Sequence, residues 1–410
     1  MAKPREEHDD VTDLSFDAAI RFAAELIRIP SPPGGEGDVA RRVVAEMQRL
    51  GFDDAWTDEV GNAIGVIRGV GDAAPVLLSS HLDVVDAGSE TEWGHPPYGG
   101  VIADGFLHGR GAMDIKGPLA LQTYAAARAA QGDDLPGDIV VAHTVFEERG
   151  GWGMAHFLAG SGIRPGVAIL GEATGGDICI GHRGRAEVVV EVRGVAGHAS
   201  APDRARNALE GVGAVVDAVR RFAADVLVEE DAVLGRSTVV VTDVEAEPRS
   251  RNVVPDRARV VLDWRVLPGT GAEDVLATLR SFLEGRLELP AGLDWSVAYS
   301  TQPQRSWTGR ESVETLFGGG FLLEPDHPVV RAAVAAVATA TGRRPSVRPW
   351  GFATDGRHTQ GEHGIPTLGY APGEERHAHT NRERLELEAA REVYDAYPVL
   401  IRALLDRAPS

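Results

Sequence analysis

The sequence predicts an α/β protein with a mainly parallel central sheet flanked by helices, interrupted by an inserted two-layer α+β domain. Three observations predict it. Strand-like and helical runs alternate through the first 170 or so residues, as in a parallel sheet with covering helices. Near residue 185 the order becomes strand–helix–strand–strand–helix, that of a small two-layer unit. After residue 303 the alternation resumes. The expected division is therefore one domain made from residues 1–184 and 303–410, split by residues 185–302.

The first ten or so residues are charged and expected to fray. Residues 15–27 and 39–50 carry apolar side chains at helical spacing, separated by the turn-rich Pro30-Ser31-Pro32-Pro33-Gly34-Gly35. Strands are then expected at 74–80, 138–146 and 167–171, with helices at 119–130 and 153–159. In the inserted unit, strands at 186–192, 237–244 and 258–266 accompany helices at 207–223 and 272–283. Helix 328–341, strand 365–369 and helix 387–404 complete the chain.

Composition narrows the function. The 410 residues include 41 Lys and Arg against 61 Asp and Glu, a net charge of −20. That balance argues against tracking nucleic-acid phosphates, which needs clustered cations, and against docking on an anionic membrane. The lone cysteine, Cys179, excludes a disulfide framework and a multi-cysteine zinc site, so any metal must be held by His, Asp and Glu. No stretch approaches the ~20 apolar residues of a membrane span, and the polar N-terminus lacks a signal-peptide core. A cytoplasmic protein is the expectation.

Five clusters carry the chemistry. His81 and Asp83 follow a strand in HLDVV, and Asp114 lies in GRGAMDIKG. Glu147 and Glu148 end a strand in TVFEERGG, Glu172 ends another in ILGEAT, and His379 follows the last strand in APGEERHAHTNRE. Strand C-terminal ends of an open parallel sheet converge on one crevice, so residues 298 apart (379 − 81) can share a site. Imidazoles and carboxylates suit a two-metal hydrolytic centre holding zinc, cobalt or manganese. Asp83, two residues beyond His81, is spaced to fix the tautomer of that histidine. Adjacent Glu147 and Glu148 point different ways, so one can bind metal while the other stays free as a base.

These motifs resemble the two-metal aminoacylase and carboxypeptidase family that contains acetylornithine deacetylase, succinyl-diaminopimelate desuccinylase and glutamate carboxypeptidase, with its zinc-exopeptidase-like fold. The GHRGRAEV and PQRSWTG stretches are similar to those of a branch linked to selenium metabolism. The resemblance implies two divalent ions bridged by Asp114, one completed by His81 and Glu172, the other by Glu148 and His379. It makes Glu147 the general base and Asp83 the carboxylate behind His81, with a cis bond between Asp114 and Ile115. In GVAGHASAP it implies that His198 polarises the scissile carbonyl, often from the partner subunit of a homodimer formed through the inserted lid. It also implies that Asn252 (RNVVPD) and Arg265 (LDWRVLP), thirteen apart, hold the substrate carboxylate, and that GFATDGR walls the cleft.

His377 competes with His379; the Ala-His-Thr-Asn-Arg-Glu register favours His379. Lys116, the one internal lysine, invites a nucleophile role but is read as a helix-start residue with a solvated charge. The remaining nine histidines, His182 and His358 among them, carry no motif. The sequence has no H-E-x-x-H, phosphate loop, G-x-S-x-G elbow or complete G-x-G-x-x-G. The expected function is a metal-dependent hydrolase of a linear amide in a small, carboxylate-bearing substrate: a hydroxide bridging the metals attacks the carbonyl and Glu147 moves the proton. One alternative keeps the metal site but changes the bond, as in a hydrolytic deaminase. Another is a catalytically silent scaffold homologue, against which the intact Glu147 and five ligands speak.

Overall fold

A computed structural model describes residues 12–132 and 134–406. The charged N-terminal segment expected to fray lies outside the described residues.

An eight-stranded sheet organises the first layer. Its strand order is Asp54–Thr57, Ala63–Ile67, Gly137–Thr144, Ala73–His81, Val167–Leu170, Thr367–Gly369, Ile178–Cys179, Val347–Arg348. The four strands at its centre run parallel, and antiparallel pairing enters where Ala63–Ile67 meets Gly137–Thr144 and where Thr367–Gly369 meets Ile178–Cys179. The sheet is thus mixed, with the expected parallel arrangement at its heart. Leu77, Leu78 and Val141 are wholly buried because helices cover both faces, which is why these strands read as unbroken apolar runs. Helices Phe16–Ile27, Lys116–Ala129 and Leu387–Leu405 share one core. Ser15 starts the first by accepting the Ala18 N–H, a side-chain N-cap. Strands Asp54–Thr57 and Ala63–Ile67 escaped the sequence reading; they are four and five residues long, too short for a period to show.

A second, antiparallel sheet joins Thr238–Glu247, Arg257–Val266, Gly184–Arg193 and Asp294–Tyr299, with the short strand Phe317–Gly318 also on Gly184–Arg193. Side chains alternate across it. Val188, Val190, Val192, Val260, Leu262 and Trp264 point to one face, where Val215, Val219 and Phe222 of helix Val212–Asp225 and Leu279 and Leu283 of helix Ala272–Arg286 bury them. The intervening residues, Arg185, Glu187, Arg259 and Arg265 among them, point the other way, into an open cleft. Helix Val212–Asp225 starts five residues later than its pattern suggests, because Asn207 caps a separate 3-10 turn at Ala208–Gly211. No described helix is long and apolar enough to cross a membrane.

Candidate metal centre

The carboxyl ends of the central strands meet at one place. His81 ends Ala73–His81, Glu147 and Glu148 form a turn just beyond Gly137–Thr144, and Glu172 follows Val167–Leu170. Asp114 stands at the cis Asp114–Ile115 bond just before helix Lys116–Ala129, and His379 lies beyond Thr367–Gly369. All six line a cleft of 1080 Å³.

Within it, Asp114 is the hub. Its Oδ1 accepts from His81 Nε2 at 3.2 Å and its Oδ2 lies 3.2 Å from His379 Nε2. Glu172 Oε1 is 3.7 Å from His81 Nε2, and Glu148 Oε1 is 3.0 Å from His379 Nε2. Two donor groups result, His81–Asp114–Glu172 and Asp114–Glu148–His379, with the ligand atoms of each within 4.8 Å of one another. One imidazole and two carboxylates per group, sharing a carboxylate, fit a pair of borderline divalent ions. His377 belongs to neither group.

The protonation pattern fits the same conclusion. His81 is held well above the ordinary imidazole range: burial opposes this, but the hydrogen bond to Asp114 and the charges of Glu172 and Asp83 prevail. Hydrogen bonds to Asp114 and Glu148 raise His379 to about 10. Burial pushes Glu172 up to about 8 and carries Glu147 well above its usual value, with Glu172 adding to the latter. Asp114, despite burial, is held low by the two imidazoles. Protons thus occupy positions that a divalent ion displaces when it binds.

Asp83 does more than stand behind His81. His81 Nδ1 donates to the Asp83 main-chain carbonyl at 2.8 Å, with the carboxylate at 3.6 Å. That carboxylate instead accepts the N–H of Glu147 (3.2 Å) and of Glu148 (3.1 Å). It fixes the turn that carries both glutamates, which Phe146 enters in the left-handed region at φ +58°.

Two residues that the sequence reading passed over support Asp114. Glu383, wholly buried, accepts the N–H of Met113 (3.1 Å) and of Asp114 (3.0 Å). Arg110, also buried, contacts its other oxygen at 2.5 Å. Both stood in quoted stretches, Glu383 in APGEERHAHTNRE, four residues beyond His379, and Arg110 in GRGAMDIKG, four before Asp114, but no motif singled either out. The GFATDGR wall contributes Phe352, Thr354, Asp355 and Arg357 to the cleft, and Asp355 accepts from Thr144 Oγ1 at 2.9 Å.

Lys116 requires a correction. It begins helix Lys116–Ala129, but its ammonium is buried, not solvated. Nζ donates to the carbonyls of Leu26 (3.0 Å) and Ile29 (2.6 Å), at the end of helix Phe16–Ile27. Both carbonyls lie at the negative end of that helix, which favours a cation; burial lowers Lys116 to about 7. It does not line the cleft.

Arg265 lines the cleft, whereas Asn252 and His198 do not. Asn252 precedes Val253–Val254, which pairs with Gly197–His198, and the Asn252 carbonyl accepts the Ala199 N–H at 3.0 Å. The strand from Arg257 to Arg265 intervenes, eight steps of about 3.3 Å, or about 26 Å. Within one chain, then, Asn252 does not reach Arg265. It sits instead beside His198, which is exposed and whose imidazole is bonded only to Ser200 among the described residues.

Comparison with known proteins decides the family: the model of peptidase family M20/M25/M40 matches residues 77–403. The chain belongs to this family. As an M20-family protein it is a hydrolase of amide or peptide bonds. It is 32% identical over 368 residues to the uncharacterized protein YgeY of Escherichia coli strain K12, covering 89% of each chain. It is likewise 32% identical over 353 residues to succinyl-diaminopimelate desuccinylase of Methylobacterium nodulans, covering 81% of this chain and 83% of that one. Its fold matches an M20-family metallo-carboxypeptidase from Sulfolobus solfataricus at TM-score 0.72 and 16% identity, over 95% and 99% of the two chains. Human carnosine dipeptidase 1 matches at TM-score 0.70 and 18% identity, over 96% and 97%.

Proposed function

We propose that this M20-family hydrolase removes the acyl group from an N-acyl amino acid or cleaves a small peptide bearing a free carboxylate, with Glu147 as general base. The observation that carries this reading is the pair of donor groups sharing Asp114, with Glu147 beside them in one cleft. His81 and Glu172 would hold one ion and Glu148 and His379 the other, with Asp114 between. Zinc is the first expectation and cobalt or manganese suit the same donors. When bound, the ions would polarise the scissile carbonyl and bring water toward a near-neutral pKa.

Glu147 is not claimed by either donor group, so its carboxylate is free to take a proton from water and return it to the leaving amine. Asp83 holds the Glu147 and Glu148 amides, and so keeps base and ligand on their separate bearings. Arg265 offers a fork to the substrate carboxylate. His198 and Asn252, adjacent on an exposed hairpin and absent from their own cleft, are read as donors to the cleft of a second copy, through a homodimer of lid domains. In this reading residues 185–302 are the lid, and residues 1–184 and 303–410 the catalytic domain. The single buried cysteine is in keeping with a reducing, cytoplasmic compartment.

The test is metal analysis of the purified protein together with an N-acyl amino acid panel on wild type and Glu147→Ala. Bound divalent ions, with hydrolysis abolished by the substitution, are expected. Protein that holds no divalent ion after reconstitution overturns the enzyme reading. Activity that survives Glu147→Ala overturns the assignment of the base.

A further inference from the structure

The cleft face of the second sheet carries a row of guanidinium groups that the mechanism above uses only in part. Arg265 and Arg185 are directly paired across neighbouring antiparallel strands, so their side chains stand together on the cleft face. On the far side of Arg185 its partner is Gly318. A Cβ on Gly318 would meet the guanidinium of Arg357, with Nη1 at 2.1 Å and the central carbon at 3.0 Å. Arg357 thus fills the side-chain position that Gly318 leaves empty, although it belongs to the GFATDGR wall and not to this sheet. The guanidiniums of Arg265, Arg185 and Arg357 thus occupy three successive side-chain positions across the sheet, the first two from its own strands and the third in the place of Gly318, where strand backbones are about 5 Å apart.

Their counter-charges are unequal. Asp263 serves two of them, lying 2.7 Å from Arg265 Nε and 2.7 Å from Arg185 Nε, and Glu187 lies 3.3 Å from Arg185. Farther along the same face Arg259 is matched by Glu245 at 3.2 Å. Arg357 has no carboxylate within 4.0 Å among the described residues; its Nε donates to His358 Nε2 at 3.0 Å. His358 can accept there because its Nδ1 donates to Glu362 at 2.9 Å. Glu362 and His358 therefore orient the guanidinium from behind and leave both of its terminal nitrogens without an acceptor among the described residues. Like charges placed opposite each other in a sheet are unfavourable, and an anion from outside would relieve them.

We propose that Arg357 is a specificity-determining residue that, with Arg185, binds a second carboxylate of the substrate beside the one held at Arg265. The preferred substrates are then amides of an acidic amino acid, because two carboxylates separated by two or three carbons span about the distance between neighbouring strands. The proposal rests on the hydrolase reading above and adds the class of substrate.

Two arms test it. The first is kcat/KM for N-acetyl-L-glutamate against its neutral isostere N-acetyl-L-glutamine. Wild type should prefer the glutamate by about tenfold or more, the size expected of a charge-assisted pair. That ratio should fall to about one in Arg357→Met and in Gly318→Ala, whose new Cβ evicts the guanidinium while keeping its charge in the chain. Arg357→Lys should recover part of it. A wild-type ratio of one or below, or a ratio unchanged in both variants, overturns the proposal. The second arm is calorimetric binding of glutarate against glutaramate, which needs no turnover. Should no N-acyl amino acid be hydrolysed, the deacylase reading fails and this arm still decides: about tenfold tighter glutarate binding, lost in both variants, upholds the carboxylate site, and equal binding overturns it.

Discussion

Glu383→Ala is expected to cost stability and metal together, and the two losses can be separated. Glu383 accepts the amides of Met113 and Asp114 with one oxygen and meets the buried Arg110 with the other. Removing the carboxylate leaves Arg110 as an uncompensated buried charge, which costs about 3–5 kcal/mol. Each orphaned amide adds up to about 1–3 kcal/mol unless water fills the space. We therefore expect a loss of at least about 3 kcal/mol, read as a lower urea midpoint. Because the Asp114 amide is one of the two released, the shared carboxylate loses its anchor. Metal affinity should fall about 10- to 100-fold, the range for losing a group that orients a ligand. Glu383→Gln combined with Arg110→Met keeps an oxygen for the amides and removes the buried cation, so both properties should largely return. Glu383→Met with Arg110→Met removes both charges but also the acceptor, so stability should return while metal affinity stays low. The assays are urea denaturation of the metal-free protein and titration with zinc against a chelating indicator. Glu383→Ala protein that binds two ions with wild-type affinity refutes the reasoning.

Three further outcomes are expected. Glu147→Gln should lower kcat by about 10²- to 10⁴-fold yet still bind two ions, because Glu147 belongs to neither donor group; loss of metal along with activity would count against its assignment. If His198 serves a partner's cleft, two inactive variants, His198→Ala and Glu147→Ala, should regain activity when mixed and allowed to exchange subunits, up to about a quarter of wild type for random pairing in dimers; no recovery despite demonstrated exchange argues that each chain uses its own histidine. Glu46 is buried, and despite that burial Arg49, Tyr124 and Arg42 hold it down to about 2 from an ordinary 4.5. A depressed carboxylate stabilises the fold fully above the unfolded value and loses its effect as pH falls through the folded one. Glu46→Gln should therefore cost about 3 kcal/mol at pH 7, and its deficit should shrink between pH 4.5 and 2; a deficit that stays constant over that window contradicts the assignment.

What could be read in the sequence depended on whether position along the chain carried the information. His81, Asp114, Glu148, Glu172 and His379 were legible because each follows an apolar strand or lies in a turn with its own motif, and a parallel sheet gathers such ends by its topology. The burial of Lys116 was not legible: a lysine at a helix start is ordinarily solvated, and only the unpredicted approach of the end of helix Phe16–Ile27 gives it carbonyls to hold. Asn252 and Arg265 show another limit, since a spacing of thirteen says nothing of distance until the extended strand between them is placed. Arg357 is the clearest case of all. Its neighbours mark it as part of a wall, but its place in a row of guanidiniums is set by Gly318, a residue with no side chain in a two-residue strand followed by two more glycines. A pattern of apolar residues cannot register such a strand, and the absence of a Cβ is what lets a side chain from elsewhere in the chain complete the row. Specificity in this cleft is therefore expected to respond to substitution at Gly318 as sharply as at Arg357, although only one of the two has any group able to touch a substrate.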